Sequence, residues 1–348
     1  MREFNYSELK AQKWDSEILG LVAAVYKEAG KQELYLKQRP GELEKLVEIA
    51  KVQSIEASNA IEGIVTTSTR IRQLVAEKTT PRNRDEQEIA GYRDVLNVIH
   101  ENFEVIPITR NYILQMHKIL YSHMNNPMAG KMKNVQNYIS ATHPDGSTEI
   151  LFTPLAPFET PEALDRICDE YNRVIGNLEV EPLIAVPVFI HDFLCIHPFN
   201  DGNGRMSRLL TTLLLYRNGF YVGKYISLEA KIEKNKDLYY EVLRKAQIGW
   251  HEGNENVIPF IKYFLGVVLS AYRDFEDRFF IVADKVPAIE MVRRATQGIV
   301  GKFTKQDILT RCPSLSLSSV EGSLRKLTEL GELNRAGSGR ASYYFRVK

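Results

Sequence analysis

The segment that decides the fold is His197-Pro198-Phe199-Asn200-Asp201-Gly202-Asn203-Gly204-Arg205-Met206-Ser207-Arg208. This polar segment separates two strongly apolar stretches, residues 183–196 before it and residues 209–215 after it. The second stretch has helical spacing and stops at Asn218-Gly219, which is typical of a helix C-terminus. The pattern therefore predicts two buried helices that flank a short polar loop.

The loop has the features of a phosphate-binding site. Its last glycine, Gly204, is expected to open the second helix, where the first N–H groups have no partner within the helix and attract anions. Arg205 and Arg208 are three residues apart, so both should project from one face of the first helical turn. The helix dipole disfavours cations there unless an anion is bound nearby. Two arginines in this position predict a polyphosphate ligand.

Two further residues of the loop have suitable chemistry. Asp201 offers the oxygen ligand that Mg²⁺ uses when it also binds substrate phosphates, and His197 can accept a proton near neutral pH. Each feature alone is more often structural, because a lone His usually packs and a lone Gly-Asn-Gly usually forms a turn. Phe199 is expected to anchor the loop in the core.

The complete segment resembles the Fic family signature, His-Pro-Phe-x-Asp/Glu-Gly-Asn-Gly-Arg-x-x-Arg, at every position. Fic proteins typically transfer AMP from ATP to a hydroxyl of another protein, so the resemblance implies a protein adenylyltransferase with ATP as substrate and Mg²⁺ as cofactor. It implies that His197 deprotonates the attacking Ser, Thr or Tyr hydroxyl and that Asp201 holds Mg²⁺. The residues that it implies for the phosphates are Gly202, Asn203 and Gly204 around the α- and β-phosphates, Arg205 at the β-phosphate and Arg208 at the γ-phosphate.

A second Fic-like feature ends an earlier helix. An amphipathic pattern begins at Glu42, after a loop expected at Arg39-Pro40-Gly41, and runs to Ser58-Asn59-Ala60-Ile61-Glu62-Gly63. These last six residues resemble the family's inhibitory motif, Ser/Thr-x-x-x-Glu-Gly/Asn, which implies an inhibitory helix carrying Ser58 and Glu62, with Glu62 paired to Arg208. The helix dipole disfavours an acid such as Glu62 at a helix C-terminus and a cation such as Arg208 in a first turn. An ion pair between the two would offset both unfavourable interactions. Without the resemblance, Glu62 is an exposed acid at a helix end.

Residues 134–158 interrupt the helical pattern and predict a β-hairpin. One arm contains Val135, Tyr138 and Ile139, the turn is Pro144-Asp145-Gly146-Ser147, and the other arm contains Ile150, Leu151 and Phe152. The resemblance implies that this hairpin is a flap that holds the target protein as an added strand. A structural hairpin packed on the helices is the alternative.

Several aromatic and histidine residues outside the loop are further candidates. In the adjacent pair Tyr239 and Tyr240, one ring could stack on a purine while the other packs inward, and the resemblance supports an adenine site there. Gln247 stands where the family pattern has Asn. His191-Asp192 would suit a metal phosphohydrolase, but no ordered set of further His and Asp ligands is visible. His117 is expected to be packed or on the surface rather than catalytic.

From about Ala283 the pattern changes to that of a winged helix, in which short helices are followed by a β-hairpin. Thr304 is expected to cap one helix and Ser318 or Ser319 the next, and residues 343–345 form the last strand.

This C-terminal segment is locally basic, since residues 301–348 contain nine Lys and Arg against four Asp and Glu. Contact with DNA through Arg325, Lys326 and Arg340 and docking to a protein both stay open.

The composition is that of an ordinary globular protein, with 348 residues and a formal net charge of +1. No run approaches the roughly 18 apolar residues that span a bilayer, and the N-terminus lacks the apolar stretch of a signal peptide. Cys168, Cys195 and Cys312 are unclustered, which is typical of a reducing compartment and argues against a cysteine metal site. These features predict a cytoplasmic protein without a membrane partner.

We therefore expect a mostly α fold, namely a Fic-type helical core with a β-hairpin flap plus a small C-terminal winged-helix domain. The expected regions are 1–108 with the inhibitory helix, 109–282 with the Fic core and 283–348 with the winged helix. Two other functions stay open: a transcriptional regulator whose core only senses nucleotide, and a de-AMPylase in which Glu62 orients a water. Self-modification and a homodimer also stay open.

Overall fold

The backbone of the protein is mostly helical. The computed structural model describes residues 2–38, 40–142, 147–283, 287–297, 299, 301–312, 315–337 and 342–347. The helices are α1 (Glu8–Ala11), α2 (Ser16–Gln38), α3 (Pro40–Ile61), α4 (Ser68–Val75), α5 (Arg84–Asn102), α6 (Arg110–Leu120), α7 (Thr160–Gly176), α8 (Pro182–Ile196), α9 (Asn203–Arg217), α10 (Leu228–Lys234), α11 (Lys236–Gln247), α12 (Ile258–Ala283), α13 (Ala288–Gln297), α14 (Lys305–Arg311) and α15 (Leu317–Glu329). The strands are β1 (Ile139–Thr142), β2 (Thr148–Phe152), β3 (Leu333–Ala336) and β4 (Tyr343–Arg346).

The chain forms two compact units. The first comprises Met1–Ala29 and Ala50–Ala271, and the second comprises Gly30–Ile49 and Tyr272–Lys348. The residues of the predicted loop, hairpin and tyrosine pair all belong to the first unit. None of the described helices is long and apolar enough to cross a membrane.

The core of the first unit is built around α8. Every residue from Leu183 to Ile196 is buried, which explains why this helix is apolar on all sides. It packs against α7 and α9, and α9 also packs against α5. Pro182 occupies the first turn, where a proline is well tolerated. Pro187 lies inside α8, which nevertheless begins at Pro182.

The second buried helix, α9, begins one residue earlier than expected. Asn203, not Gly204, is its first residue, because Gly202 adopts φ 84° directly before it and turns the chain into the helix. Arg208 is consequently the sixth residue and lies in the second turn, so its expected place in the first turn is wrong. The C-terminus is as predicted, with Asn218 as the cap and Gly219 at φ 85°.

The helix that carries the inhibitory motif, α3, begins at Pro40 rather than at Glu42, while Arg39 lies outside the described residues. A proline is compatible with a helix start, so the loop expected around it is not needed. The helix ends at Ile61, and Gly63 follows two residues later with φ 80°, a left-handed conformation that suits a helix C-terminus. The N–H of Ile64 donates to Asn59 O at 3.0 Å and the N–H of Gly63 to Ala60 O at 3.0 Å, which closes the helix end and fixes the backbone of Glu62.

The predicted hairpin is present. Strands β1 and β2 pair antiparallel with Ile139 opposite Phe152 and Thr142 opposite Thr148. Val135 and Tyr138, expected in the first arm, precede β1, and residues 144–146 of the expected turn lie outside the described residues.

In the C-terminal part of the second unit, α14, α15 and the β3–β4 hairpin follow one another in the expected order, and α13 precedes them. Buried residues between Met291 and Tyr344 form one apolar cluster in this C-terminal part. Thr304 caps α14 as predicted, with a reciprocal bond to Asp307. Ser316 caps α15 instead of Ser318 or Ser319, because its hydroxyl accepts from the N–H of Ser319. Arg340 lies outside the described residues, and the winged-helix assignment stays a prediction.

Candidate active site

His197 directly follows α8 in a left-handed backbone conformation, with φ 53° and ψ 62°. This conformation is uncommon for a residue with a side chain and clusters at functional sites. Nδ1 lies 3.2 Å from Leu194 O, so Nδ1 carries the proton and donates, and the lone pair of Nε2 has no hydrogen-bond partner within the described ranges. Burial lowers the pKa of His197 to about 4; the Leu194 carbonyl opposes this shift and the Lys133 ammonium adds to it. His197 is therefore neutral at pH 7.

Two residues that the sequence analysis missed hold the backbone of the loop. Lys133 is buried, its Nζ donates to Ile196 O at 3.0 Å and its own N–H donates to Pro198 O at 2.8 Å. Asn137 Nδ2 donates to Phe199 O at 2.9 Å. The Lys133 ammonium lies at the C-terminus of α8, where the helix dipole favours a cation, while burial lowers its pKa to about 8. No periodicity or motif marks these residues in the sequence.

His117 supports the loop from the opposite side and is packed, as expected. Its ring stacks on Phe199 with centroids 3.7 Å apart and planes 2° apart, and Phe199 is the buried anchor that was predicted. Nδ1 accepts from the N–H of Gly130 at 3.0 Å, so Nε2 carries the proton and donates to Asp201 O at 3.1 Å. The amide of Asn203 closes the loop by bonding both the N–H and the carbonyl of Phe199.

The carboxylate of Asp201 stands at the open side of the loop, with its side chain 59% exposed. Oδ1 accepts from the N–H of Gly202 at 2.7 Å, and Oδ2 lies 3.8 Å from the Arg84 guanidinium. Among the described residues, no group of three or more His, Cys, Asp or Glu could hold a metal without a substrate. A single exposed carboxylate instead fits Mg²⁺ that is bound mainly through substrate phosphates.

Arg205 is buried against α5 and α6. Its Nη1 lies 2.7 Å from Glu88 Oε2, and its Nη2 donates to the Tyr121 hydroxyl at 2.8 Å. Nη1 is close to the carboxylate but is not aligned for a hydrogen bond, and it has no hydrogen-bond partner among the residues that the structure describes. Arg205 and Arg208 are three residues apart in α9, and their side chains have partners on different helices.

Arg208 contacts the end of α3. Its Nε donates to Ser58 Oγ at 2.8 Å, and its Nη2 donates to Ser58 O at 2.9 Å and to Glu62 Oε1 at 2.8 Å. The same carboxylate lies against Gly204, since a Cβ at that position would be 2.2 Å from Glu62 Oε1. Glu62 thus places a negative charge at the start of α9, where an anion is favoured.

The tyrosine pair has one buried and one exposed ring, as expected. Tyr239 is 5% exposed and Tyr240 is 42% exposed, with ring centroids 5.2 Å apart. Lys236 Nζ lies 5.8 Å from the Tyr240 ring centroid and donates to Ile61 O at 2.6 Å. Gln247 is buried, and its Nε2 has no hydrogen-bond partner in the described part of the chain. The adenine role of the pair stays a prediction.

His191 and Asp192 take part in core packing. Asp192 accepts from the Tyr6 hydroxyl at 2.8 Å and from Trp250 Nε1 at 2.7 Å. His191 Nε2 lies 3.7 Å from Cys195 Sγ. Burial lowers the pKa of His191 to about 4 and raises that of Asp192. The pair is therefore buried among its own partners rather than open to a substrate.

Known proteins with the same sequence features identify the family. Residues 107–215 match the Fic/DOC family. A Fido domain-containing protein of Dictyostelium discoideum is 31% identical over 111 residues, which are 31% of this chain and 73% of that protein. The chain belongs to the Fic/DOC family.

Other relatives carry the name of an activity. Protein adenylyltransferase fic-1 of Caenorhabditis elegans is 27% identical over 183 residues, 52% of this chain and 32% of that protein. Protein adenylyltransferase Fic of Nematostella vectensis is 26% identical over 229 residues, 64% of this chain and 48% of that protein. The chain thus spans about a third to a half of the length of these curated relatives.

Solved structures share the fold. A Fic family protein from Desulfovibrio desulfuricans G20 has a TM-score of 0.61 and 22% identity over 97% of both chains. A structure of Fic-1 from C. elegans has a TM-score of 0.59 and 20% identity, and the match covers 74% of this chain and 72% of that one. The fold is therefore the Fic fold, with a β-hairpin attached to a helical core.

Proposed function

We propose that this chain is a protein adenylyltransferase that transfers AMP from ATP to a Ser, Thr or Tyr hydroxyl of a protein, itself included, and that Glu62 restrains it. The observation that carries the proposal is a neutral His197 with a free Nε2 beside a helix start at which Glu62 already occupies Arg208. The names of the curated relatives support the activity.

The proposed reaction is a displacement at the α-phosphorus of ATP. The hydroxyl oxygen of the target forms the new bond, and the bond from the α-phosphorus to the oxygen that leads to the β-phosphate breaks. Pyrophosphate leaves, and the hydroxyl proton moves to His197 Nε2. Because Nδ1–H is held by Leu194 O, the ring keeps the orientation in which Nε2 accepts that proton.

The phosphates would bind where the loop meets α9. The N–H groups at the start of α9 and the Arg205 guanidinium offer donors for phosphate oxygens, and Asp201 would hold Mg²⁺. The ion supplies positive charge that offsets the charge of the leaving pyrophosphate. The side chain of Asn203 is occupied by Phe199, so this residue would contribute its backbone only.

Restraint would follow from competition for Arg208. Its Nε and Nη2 are used by Ser58 and Glu62, and the Glu62 carboxylate lies beside Gly204, where it would repel a phosphate. ATP would then bind with its phosphates displaced. A displacement of about 1 Å can lower a rate by roughly 10²-fold.

Partners would dock on exposed elements. Tyr138 and Ile150 are 53% and 56% exposed at the hairpin, which suits a target segment that pairs as an added strand. The C-terminal segment would serve contact with a protein or with DNA.

The test uses ATP labelled at either the α- or the γ-phosphate, with Mg²⁺ and a cell lysate. Glu62→Gly should attach the α-label but not the γ-label to protein, and adding His197→Ala should remove the signal. Attachment of the γ-label, or an undiminished signal without His197, would contradict AMP transfer. An enzyme that labels nothing but still binds ATP would favour the nucleotide-sensing regulator. Release of AMP from pre-labelled protein by wild type, but not by Glu62→Gly, would favour the reverse reaction.

A further inference from the structure

Glu88 is a buried carboxylate in α5 that contacts two arginines of the candidate site. It is 3% exposed. Its Oε2 lies 2.7 Å from Arg205 Nη1, and its Oε1 accepts from Arg84 Nε at 2.8 Å. One side chain therefore links the first turn of α9 to the rim of the loop, although nothing in the sequence pattern marks it.

Because Arg205 is buried, its guanidinium depends on the Glu88 carboxylate as a counter-ion. The guanidinium is 2% exposed, and an isolated charge in such surroundings is unfavourable unless it is paired. Its other close partner is neutral, the Tyr121 hydroxyl at 2.8 Å, and Asp201 Oδ2 is 3.9 Å away. Glu88 is thus the carboxylate that determines where the guanidinium lies.

The second arginine extends the arrangement to the candidate metal ligand. Arg84 is 69% exposed and its Nη2 lies 3.8 Å from Asp201 Oδ2. By holding Nε of Arg84, Glu88 sets the position of a cation beside the carboxylate that would bind Mg²⁺. Two positive charges and the negative charge of Asp201 are therefore arranged around one buried acid.

We infer that Glu88 is a positioning residue of the phosphate site, which fixes Arg205 and Arg84 so that a bound triphosphate meets preorganised donors. The inference rests on the proposed function. Glu88 Oε2 lies 2.7 Å from Arg205 Nη1, so losing this carboxylate would let the buried guanidinium move away from the start of α9. Charge-assisted contacts of this kind depend strongly on geometry, and a displacement of about 1 Å is sufficient to weaken them.

The test is Glu88→Gln in the Glu62→Gly background, with Glu86→Gln as the matched control. Glu86 lies on the same helix, is also 3% exposed and forms an ion pair with Arg70 at 2.6 Å, but Arg70 has no contact with the loop among the contacts described. Both variants lose a buried ion pair, so both should melt at a lower temperature. Only Glu88→Gln should also raise the KM for ATP, by about tenfold, because the Arg205 guanidinium would no longer be held in place for its charge-assisted contact with a phosphate.

An unchanged KM and kcat in Glu88→Gln, with a lower melting temperature alone, would overturn the inference and leave Glu88 a structural residue. If Glu88→Gln does not fold, Glu88→Asp replaces it, because it keeps the charge and shortens the reach by one methylene. A weaker affinity for Mg-ATP in Glu88→Asp supports the inference, and an unchanged affinity refutes it. Calorimetric binding of Mg-ATP separates the two proposals: if Glu62→Gly transfers no AMP, the proposed function fails, while the effect of Glu88 on ATP affinity is still measured.

Discussion

Arg208 is the residue for which Glu62 and a phosphate would compete in the proposed mechanism. It is 4% exposed, and its polar contacts run to the end of α3 through Ser58 and Glu62. A guanidinium at this depth needs a counter-ion, and either the Glu62 carboxylate or a phosphate can provide one. Under the proposal, the partner of Arg208 would therefore distinguish a restrained site from one ready for ATP.

Ser58→Ala should loosen this restraint without abolishing it. The substitution removes the bond from Arg208 Nε, but Ser58 O and Glu62 still bind Nη2. A hydrogen bond to a charged group contributes about 1.5–3 kcal/mol, so self-modification should rise by at least several-fold, but less than in Glu62→Gly. Ser54→Ala, one helical turn earlier and also buried, is the control. Equal rates in the two alanine variants would argue against a role for the Ser58 hydroxyl.

Buried histidines make stability depend on pH. Burial lowers the pKa of His191 to about 4, whereas an unfolded chain has a value near 6.5. Above pH 6.5 the imidazole is neutral in both states; as the pH falls from 6.5 to 4, the unfolded state binds a proton that the folded state does not. His191 should therefore lower the free energy of unfolding by up to about 1.4 kcal/mol per pH unit in that window.

Urea titrations from pH 7 to pH 4.5 measure this slope, and His191→Gln, which cannot be protonated in that range, should make it shallower than in wild type. His100, His117 and His197 also have pKa values lowered to about 4, so part of the slope should persist. Identical slopes in wild type and variant would contradict the assigned neutrality of His191.

At the scale of elements, the ends of α3, α8 and α9 position the site. The end of α3 places Glu62, the left-handed residue after α8 places His197, and Gly202 starts α9. Each of these ends depends on backbone geometry, so each can be perturbed without a direct contact to the nucleotide.

Gly63→Ala tests the end of α3. Gly63 has φ 80° and nothing lies within 4 Å of an added Cβ, so the substitution acts only through backbone strain, which costs about 1 kcal/mol. The melting temperature should fall and self-modification should rise, because Glu62 is held less firmly. Gly20→Ala in α2 also meets open space but has no left-handed backbone, and it should raise the melting temperature slightly. A Gly63→Ala protein with unaltered rate would show that this helix end does not control Glu62.

The sequence was sufficient for the elements and for part of the site. Apolar periodicity predicted α8, α9 and the hairpin, and glycines marked the ends at Gly63 and Gly219 because only a left-handed residue fits there. The sequence placed Arg208 in the first turn of α9, whereas it lies in the second turn. Gly202 and Gly204 lie close together, and the sequence pattern does not show which of them begins the helix. Lys133, Asn137 and Glu88 were not predicted, because periodicity shows which face is buried but not which distant residue lies against it.

At the scale of the whole molecule, the C-terminal segment has a core of its own. The buried residues of α13, α14, α15 and the β3–β4 hairpin form one cluster between Met291 and Tyr344, and the partly buried residues around it also come from this segment. A segment with a separate core can fold independently of the rest.

A chain truncated after residue 282 should therefore remain folded and should still modify itself when it carries Glu62→Gly. Circular dichroism melting and α-labelled ATP measure the two properties on the same protein, with His197→Ala as the inactive control. A truncated protein without a cooperative melting transition would show that the boundary or the independence of the segment is wrong.

The central claim is that Glu62 restrains AMP transfer by holding Arg208. The most direct measurement is the initial rate of AMP incorporation from α-labelled ATP, at saturating ATP and Mg²⁺, in wild type, Glu62→Gly and Glu56→Gly. The last variant also places a glycine in α3 but leaves Glu62 in place. A rise of roughly 10²-fold is expected in Glu62→Gly alone. Equal rates in wild type and Glu62→Gly, or the same rise in Glu56→Gly, would contradict it.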